Sequence, residues 1–383
     1  MSGLYVHIPF CVRKCLYCDF YSVETSNCAV SRRHEALELG QERFLRALEE
    51  ELGSLPDAFS PDTVFIGGGT PTELSDQDFR SLLALIRQTI DAEHVIEWSC
   101  EANPGTLTEA KAAMFKPAGI HRVSLGVQSF QPANLEFLGR IHSGEEAEEA
   151  VALLREHGIA NINLDLMFGV PGATMEMLQD DLRRLLALRP AHIACYCLTY
   201  EEGTPLTDLK ERGFVRPLNP EQELEQYQEV IRTLKEAGYR HYEISNFALP
   251  GFECRHNLLY WSAGEYLGVG PAAHSHWAGA RFGNVRSIDA WCSGLLSGSP
   301  AREFEERLEP AAKARETLVM SLRRLDGIDT DEFEKATGFA VESLYDGELS
   351  GLLGEGLLET HAGRLRLTEE GLYLSNRVFA ELV

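Results

Sequence analysis

Short apolar, β-branched runs alternate along the first half of the chain with longer segments in which Ala, Leu and Glu recur at helical spacing. The predicted strands are 4–9, 63–66, 96–100, 122–127, 162–167 and 193–198. The predicted helices between them are 41–55, 76–90, 108–116, 144–157 and 175–188. Such alternation is typical of βαβ units with a parallel sheet. It predicts an α/β fold, an incomplete (β/α)6 barrel or a strongly curved open sheet.

The pattern changes after residue 292, where the glycine- and serine-rich stretch SGLLSGSP begins. We expect one domain over 1–292, a linker over 293–309 and a small C-terminal domain over 310–383. In the last region, helical patterns at 310–323, 330–336 and 343–353 precede short strand candidates around Leu358 and Leu365, and a final helix from Glu369. This order predicts a winged-helix-like α+β domain.

Chemically unusual residues follow the predicted strands, at the end where parallel barrels build their active sites. In chain order they are a cysteine loop, the run GGGTP at 67–71, Glu101 with Asn103, Gln128 with Ser129, Asp165 with Gly169, and Thr199 with Tyr200. Consecutive glycines let the main chain lie directly against a ligand, although a tight turn is the commoner role of such a run. Collected on one rim, these residues predict a pocket.

Three cysteines in the first loop, Cys11, Cys15 and Cys18, are spaced so that one short segment surrounds a single inorganic centre. Three thiolates suit a [4Fe-4S] cluster whose fourth iron is left open. Structural zinc is the alternative, with Cys28 or His7 as a fourth ligand. Three unrelated core cysteines are a third reading, and spacing alone leaves all three open.

Composition restricts the functional class. The chain has 383 residues, of which 44% are hydrophobic, and 59 acidic residues against 35 basic ones give a net charge of −24. Such a charge disfavours nucleic-acid binding, which depends on neutralising phosphates. No segment is long and apolar enough to cross a bilayer, and nine cysteines without an export signal predict a reducing, cytoplasmic setting.

The motifs together resemble a known family. CVRKCLYC, GGGTP, SCEANPG, SLGVQSF, GRIHS and LDLMFGVPG, in order between about residues 5 and 276, are similar to the radical S-adenosylmethionine superfamily in its coproporphyrinogen-dehydrogenase-like branch. The resemblance implies a radical-SAM-type partial barrel, with S-adenosylmethionine chelated to the open iron. It further implies that reduction of the sulfonium gives a 5′-deoxyadenosyl radical.

The resemblance also implies site residues by position. Cys11, Cys15 and Cys18 would ligate the cluster. The residues implied for S-adenosylmethionine are Tyr5, Tyr17, Gly68, Gly69, Thr70, Glu101, Gln128, Arg140 and Asp165. An arginine that can bind a carboxylate, together with acidic groups that accept from an ammonium or a hydroxyl, suits a zwitterion bearing a ribose.

Two kinds of protein in this branch have to be separated, the dehydrogenase and related heme chaperones. The dehydrogenase has a further cysteine two positions beyond the triplet, where this chain has Phe20. HNLLYW resembles a heme-binding signature of the chaperones and implies heme contacts for His256, Asn257, Tyr260 and Trp261. Without the resemblance, a packed core turn is the simpler reading. Cys254, His274 and His276 are competing candidates for the iron ligand.

The expected function is therefore that of a heme chaperone, which binds a [4Fe-4S] cluster, S-adenosylmethionine and heme and transfers the heme to acceptor proteins. Membrane-associated respiratory enzymes are among the expected acceptors, and a homodimer is left open. No catalytic residue is assigned. The competing expectation is an enzyme that uses the radical on a tetrapyrrole, such as an oxygen-independent coproporphyrinogen III dehydrogenase.

Overall fold

The fold was analysed in a computed structural model of the chain. The structure describes residues 1–26 and 33–383, and for 33–39 the backbone alone. Cys28, considered above as a fourth zinc ligand, lies outside the described residues.

Seventeen strands are present among these residues. They are β1 (Ser2–Ile8), β2 (Phe10–Cys11), β3 (Val23–Glu24), β4 (Thr63–Gly68), β5 (Glu97–Ala102), β6 (Arg122–Gln128), β7 (Asn161–Phe168), β8 (His192–Cys197), β9 (Arg240–Glu243), β10 (Asn246–Ala248), β11 (Glu265–Val269), β12 (His274–Trp277), β13 (Ala280–Asn284), β14 (Arg302–Glu306), β15 (Ile328–Asp329), β16 (Leu358–His361) and β17 (Arg364–Leu367).

Fifteen α-helices accompany them in the described chain. They are α1 (Arg33–Gly53), α2 (Asp76–Thr89), α3 (Glu109–Ala118), α4 (Pro132–Leu138), α5 (Gly144–Glu156), α6 (Met175–Ala187), α7 (Pro205–Glu211), α8 (Pro220–Glu236), α9 (Arg255–Trp261), α10 (Ile288–Leu296), α11 (Pro310–Ser321), α12 (Thr330–Thr337), α13 (Glu348–Gly354), α14 (Glu369–Tyr373) and α15 (Ser375–Leu382). None of these helices is long and apolar enough to traverse a lipid bilayer.

The six predicted strands form the centre of one sheet, in the order β1-β4-β5-β6-β7-β8, and each neighbouring pair is parallel. Helices α1, α2, α3, α5 and α6 fall within the connections between these strands, as parallel crossovers require. The prediction of an incomplete (β/α)6 barrel is confirmed.

The sheet extends beyond the predicted strands to twelve. On the far side of β1, β11 pairs in parallel and β12, β13 and β14 continue antiparallel, whereas β10 and β9 extend the opposite edge beside β8. The expected linker 293–309 thus contains the end of α10 and the whole of edge strand β14. Strand β1 therefore has β4 on one side and β11 on the other, and the cysteine loop follows it.

Side chains of the parallel strands divide between two faces, since successive residues of a strand point in opposite directions. In β1, Leu4, Val6 and Ile8 are fully buried in the main core, while Tyr5 and His7 line a cavity on the other face. The helices cover the core face. In α2 the buried residues are Phe79, Leu82, Leu83 and Ile86, a spacing that places them on one stripe.

The C-terminal region has its own core, which includes Leu318, Phe333, Leu352 and Val378. Helices α11 to α13 precede the antiparallel sheet β15-β17-β16, and α14 and α15 complete a winged-helix-like order. Backbone hydrogen bonds join this region to the barrel, for example from Leu325 N to Tyr242 O at 3.1 Å.

Candidate functional site

The cysteine loop is closed at its base by the short pair β2 and β3. Val23 N donates to Pro9 O at 2.7 Å and Thr25 N donates to Cys11 O at 2.8 Å. Within the loop, Lys14 N donates to a Glu24 carboxylate oxygen at 2.9 Å. These bonds hold the segment that carries Cys11, Cys15 and Cys18 against the carboxyl end of the parallel strands.

The three cysteines are free thiols, partly accessible, and they line a common cavity. Burial raises the pKa of Cys11 and raises that of Cys18 to about 11, although the charge of Arg140 lowers the first and that of Lys14 the second, so both thiols are neutral at pH 7. Within residues 1–26 and 33–383, no three His, Cys, Asp or Glu side chains converge closely enough to hold one metal ion. His7, the other proposed zinc ligand, has its ring nitrogens bonded to Tyr5 Oη and Tyr21 O at 3.0 and 2.9 Å.

The glycine run packs too closely for any other residue. A Cβ atom on Gly68 would lie 2.6 Å from His7 Nδ1, and the φ of Gly68 is +107°. A Cβ on Gly69 would lie 2.7 Å from Phe10 O and 3.1 Å from Cys11 Sγ. Gly69 N donates to Ile8 O and Thr70 N to Phe10 O, both at 2.7 Å. The run therefore holds the carboxyl end of β4 against the cysteine loop.

Two half-buried carboxyls, those of Glu101 and Asp165, line the same cavity, and no ion pair to either is present among the described residues. Burial, and secondly the charge of Asp165, raises the pKa of Glu101 to about 8. Burial raises the pKa of Asp165 to about 6, and hydrogen bonds from Asn163 and Ser124 oppose this increase. Glu101 Oε2 accepts from Gly68 N at 3.2 Å. A positively charged ligand placed here would favour the ionised form of both groups.

Arg140 and Gln128 line the same cavity. The Arg140 guanidinium donates to Cys15 Sγ at 3.4 Å and to Gly126 O at 2.6 Å, while its buried Nε has no hydrogen-bond partner among the residues that the structure describes. Gln128 has a φ of +69°, at an irregularity between β6 and β7. A non-glycine residue held in this strained region is often part of a functional site. Its Oε1 accepts from Tyr196 Oη at 2.8 Å.

The structure brings most predicted cofactor residues together. One cavity is lined by Cys11, Cys15, Cys18, Tyr17, Gly68, Gly69, Thr70, Glu101, Gln128, Arg140 and Asp165. Tyr5 is the exception, because it lines a second cavity and stacks on Phe65 with ring centroids 6.3 Å apart. Ser124 and Tyr196 also line the first cavity and were not predicted. Their places in the fourth and sixth predicted strands were the only sequence signal for them.

The HNLLYW segment forms α9, which lies at the amino-terminal end of the barrel. His256 is completely buried there: its Nδ1 pairs with Thr63 Oγ1 and its Nε2 with Tyr260 Oη, each at 2.8 Å. Glu97 accepts from Arg255 N at 3.0 Å and from His256 N at 3.1 Å. Sequence reasoning missed Glu97, whose carboxylate supplies the acceptors that the start of the helix requires.

The second cavity, of about 720 Å³, adjoins the first, and Gly68 and Glu101 border both. His256, Asn257 and Tyr260 line it. Trp261 does not line this cavity; the Arg323 guanidinium packs over its ring, 4.4 Å from the ring centroid. Among the competing candidates, His274 lines this cavity, Cys254 Sγ donates to buried Glu97, and His276 Nδ1 pairs with Gly264 O.

Comparison with known proteins gave consistent matches along the chain. The sequence profile of the Radical SAM superfamily matches residues 5–185, and that of the HemN C-terminal domain matches residues 308–374. The heme chaperone HemW of Lactococcus lactis is 34% identical over 384 residues, covering 100% of this chain and 97% of the relative. HemW of Escherichia coli is 32% identical over 383 residues, and the match covers 98% of this chain and 96% of the relative.

A solved structure is similar over the whole length. The coproporphyrinogen III oxidase HemN of Escherichia coli, a radical SAM enzyme, superposes with a TM-score of 0.83 at 22% identity. The match covers 100% of this chain and 89% of the other. At this identity the likeness supports the fold, and it places the C-terminal region within the same architecture.

Proposed function

This chain belongs to the HemW family of the radical SAM superfamily, and from that membership we propose that it is a heme chaperone. It would bind heme as cargo and transfer it to acceptor proteins. A [4Fe-4S] cluster and S-adenosylmethionine, which the superfamily implies, would be its resident cofactors.

The donor set of the first cavity fits the cluster. Cys11, Cys15 and Cys18 provide three thiols on one wall, and three ligands leave one iron of a [4Fe-4S] cluster open to an outside molecule. The raised pKa values of Cys11 and Cys18 mean that a cationic centre has to replace the protons of these two thiols. When bound, the reduced cluster would supply one electron to a sulfonium.

The remaining residues of that cavity fit S-adenosylmethionine. Arg140, with its unpartnered Nε, would bind the carboxylate, and Glu101 and Asp165 would lie near positive or hydroxyl groups. Gln128 is held by Tyr196 and would orient a polar group of the ligand. These side chains position and bind; none is proposed as an acid or base.

One observation carries the heme part of the proposal: a second, aromatic-lined cavity opens directly beside the first. Its volume of about 720 Å³ lies within the range of about 300 to 1,000 Å³ that is usual for ligand pockets. Tyr5, Phe65, Tyr260, Tyr266 and Phe304 supply an apolar wall suited to a porphyrin.

Anaerobic reconstitution followed by titration with hemin tests the proposal. We expect saturable binding of hemin to the cluster-loaded protein, followed by transfer of the heme to a heme-free b-type cytochrome mixed with it. Retention of the bound heme in the presence of that acceptor would contradict the transfer of heme. The absence of hemin binding would contradict both the binding and the transfer of heme.

The dehydrogenase remains the second candidate because the fold likeness to HemN extends over the whole chain. Phe20, where the dehydrogenase has a further cysteine, argues against it. Coproporphyrinogen III, reductant and S-adenosylmethionine added to the reconstituted protein should yield no protoporphyrinogen. Sustained turnover would replace the chaperone proposal with the enzyme.

The proposal extends to partners and location. Heme enzymes, including membrane-associated respiratory enzymes, are the proposed acceptors, and the cytoplasm is the proposed location. The net charge of −24 argues against nucleic acid as a partner. A homodimer, also proposed, would appear as a doubled mass in light scattering, with or without heme.

A further inference from the structure

The histidine of HNLLYW is poorly placed to ligate iron. Both ring nitrogens of His256 are engaged in hydrogen bonds of 2.8 Å, and the ring stacks on Phe65 with centroids 5.3 Å apart. A Cβ atom on neighbouring Gly3 would lie 2.9 Å from its Cε1 atom, so the surrounding backbone is tightly packed. Turning this imidazole toward a ligand would break both bonds and disturb the strand starts around it.

Three histidines line the second cavity, and they differ in what their nitrogens contact. His7, like His256, has both nitrogens bonded, to Tyr5 Oη and to Tyr21 O. His274 alone among the three is exposed and has no hydrogen-bond partner recorded in the described part of the chain. Its ring lies beside that of Phe304, with centroids 5.5 Å apart.

The surroundings of His274 keep its imidazole in the form that binds iron. Partial burial lowers the pKa of His274, and the charge of Arg286 lowers it further, whereas Glu303 opposes them. The other titratable side chains that line the cavity are those of Tyr5, His7, Asp19, Tyr21, Glu101, His256, Tyr260 and Tyr266. A neutral imidazole has a free lone pair at neutral pH.

Two exposed aromatic rings and one guanidinium complete the surface. Phe20 is 67% exposed and Phe304 is 41% exposed, although both rings line the cavity. Both belong to the aromatic lining of one cavity, and a clustered apolar surface of this kind indicates a binding site, which single exposed side chains do not. Arg286 donates to Asp19 O at 3.4 Å, a weak contact that leaves most of its donors available for a carboxylate.

We propose that His274 is the protein ligand of the heme iron, that Phe20 and Phe304 contact the porphyrin, and that Arg286 binds a propionate. This inference rests on the proposed function, since it names the ligand within the same cavity. A proximal histidine, an apolar slot and a cation for the propionate are the elements by which proteins hold b-type heme.

The first experiment compares His274→Ala with His276→Ala as the matched control, two residues along the same strand. Cluster-loaded proteins are titrated with hemin and examined by electron paramagnetic resonance and resonance Raman. We expect His274→Ala to lose the histidine-ligated signature and at least tenfold in affinity, and added imidazole to restore the signature. His276→Ala should keep both.

The second experiment separates ligand assignment from heme binding as such. Arg286→Gln should lower the affinity for hemin several-fold while leaving that for hemin dimethyl ester unchanged. If His274→Ala keeps the wild-type signature, or if His256→Ala with an intact cluster spectrum loses it, the assignment to His274 is wrong although the chaperone proposal stands. If wild-type protein binds no hemin, the proposed function itself fails.

Discussion

The raised pKa of Glu101 should make the ligand-free protein less stable as the pH rises. The carboxyl has a pKa of about 8 in the fold against a usual value of 4.5, chiefly because it is buried. Between these values the folded state holds a proton that the unfolded state has released, so the free energy of unfolding falls with increasing pH. Glu101→Gln removes this ionisation while keeping the shape of the side chain.

The magnitude follows from the linkage of protonation to folding. One proton changes stability by about 1.36 kcal/mol per pH unit, and the slope flattens near the folded pKa, so the loss from pH 6 to pH 8 is at most about 2 kcal/mol. Water in the cavity would reduce this figure. S-adenosylmethionine, whose sulfonium is positive, should also reduce the loss, since a neighbouring cation favours the carboxylate.

Urea unfolding of the cluster-free protein, followed by tryptophan fluorescence at pH 6 and pH 8, measures the effect. Trp98 lies in the same strand as Glu101 and is buried, so its emission reports on this part of the sheet. The wild type should lose up to about 2 kcal/mol more than Glu101→Gln over this interval. Glu156→Gln, at an exposed helical position, is the control. Equal pH dependence of the wild type and Glu101→Gln would refute the reasoning.

Three further predictions concern the two cavities and helix α9, which borders the second. Glu97→Ala should cost about 3 kcal/mol in urea unfolding, because the start of α9 loses a charged acceptor, whereas Glu97→Gln should cost less. Gly68→Ala, whose Cβ would meet the His7 ring, should lower iron and sulfide content after reconstitution. Gly105→Ala is the control and should leave the iron and sulfide content unchanged, because its Cβ would lie 3.4 Å from the nearest atom of Ile141. Equal iron and sulfide content in the two variants would contradict the packing argument. Arg140→Lys should weaken S-adenosylmethionine binding about tenfold in calorimetry with the cluster spectrum unchanged, because the planar fork is lost; unchanged affinity would remove Arg140 from the carboxylate site.

The centre of the fold was predictable because the signals for it are local. The parallel strands place apolar residues at alternate positions, as Leu4, Val6 and Ile8 do in β1, and the crossover helices carry an apolar stripe, as α2 does. The strands from β9 to β14 escaped prediction. They are short, and β14 has five exposed residues because it is an edge strand. Such segments lack the alternation that identifies a half-buried strand.

The candidate cofactor cavity was predictable for a related reason. Parallel strands place their carboxyl ends at one rim, so Cys11, Glu101 and Asp165 could be grouped from strand order alone. The state of His256 could not be predicted, because it depends on Thr63, which lies 193 residues away in the chain. Only packing in three dimensions shows that this imidazole is enclosed while that of His274 is open. The roles of all these residues stay predictions.

The wall shared by the two cavities, to which Phe20, Gly68 and Glu101 contribute, has a thermodynamic consequence. A ligand that changes the ionisation of Glu101 from one side alters the electrostatic environment met by a ligand on the other. Any such coupling is reciprocal: whatever the cofactor adds to the retention of cargo, the cargo adds equally to the retention of the cofactor.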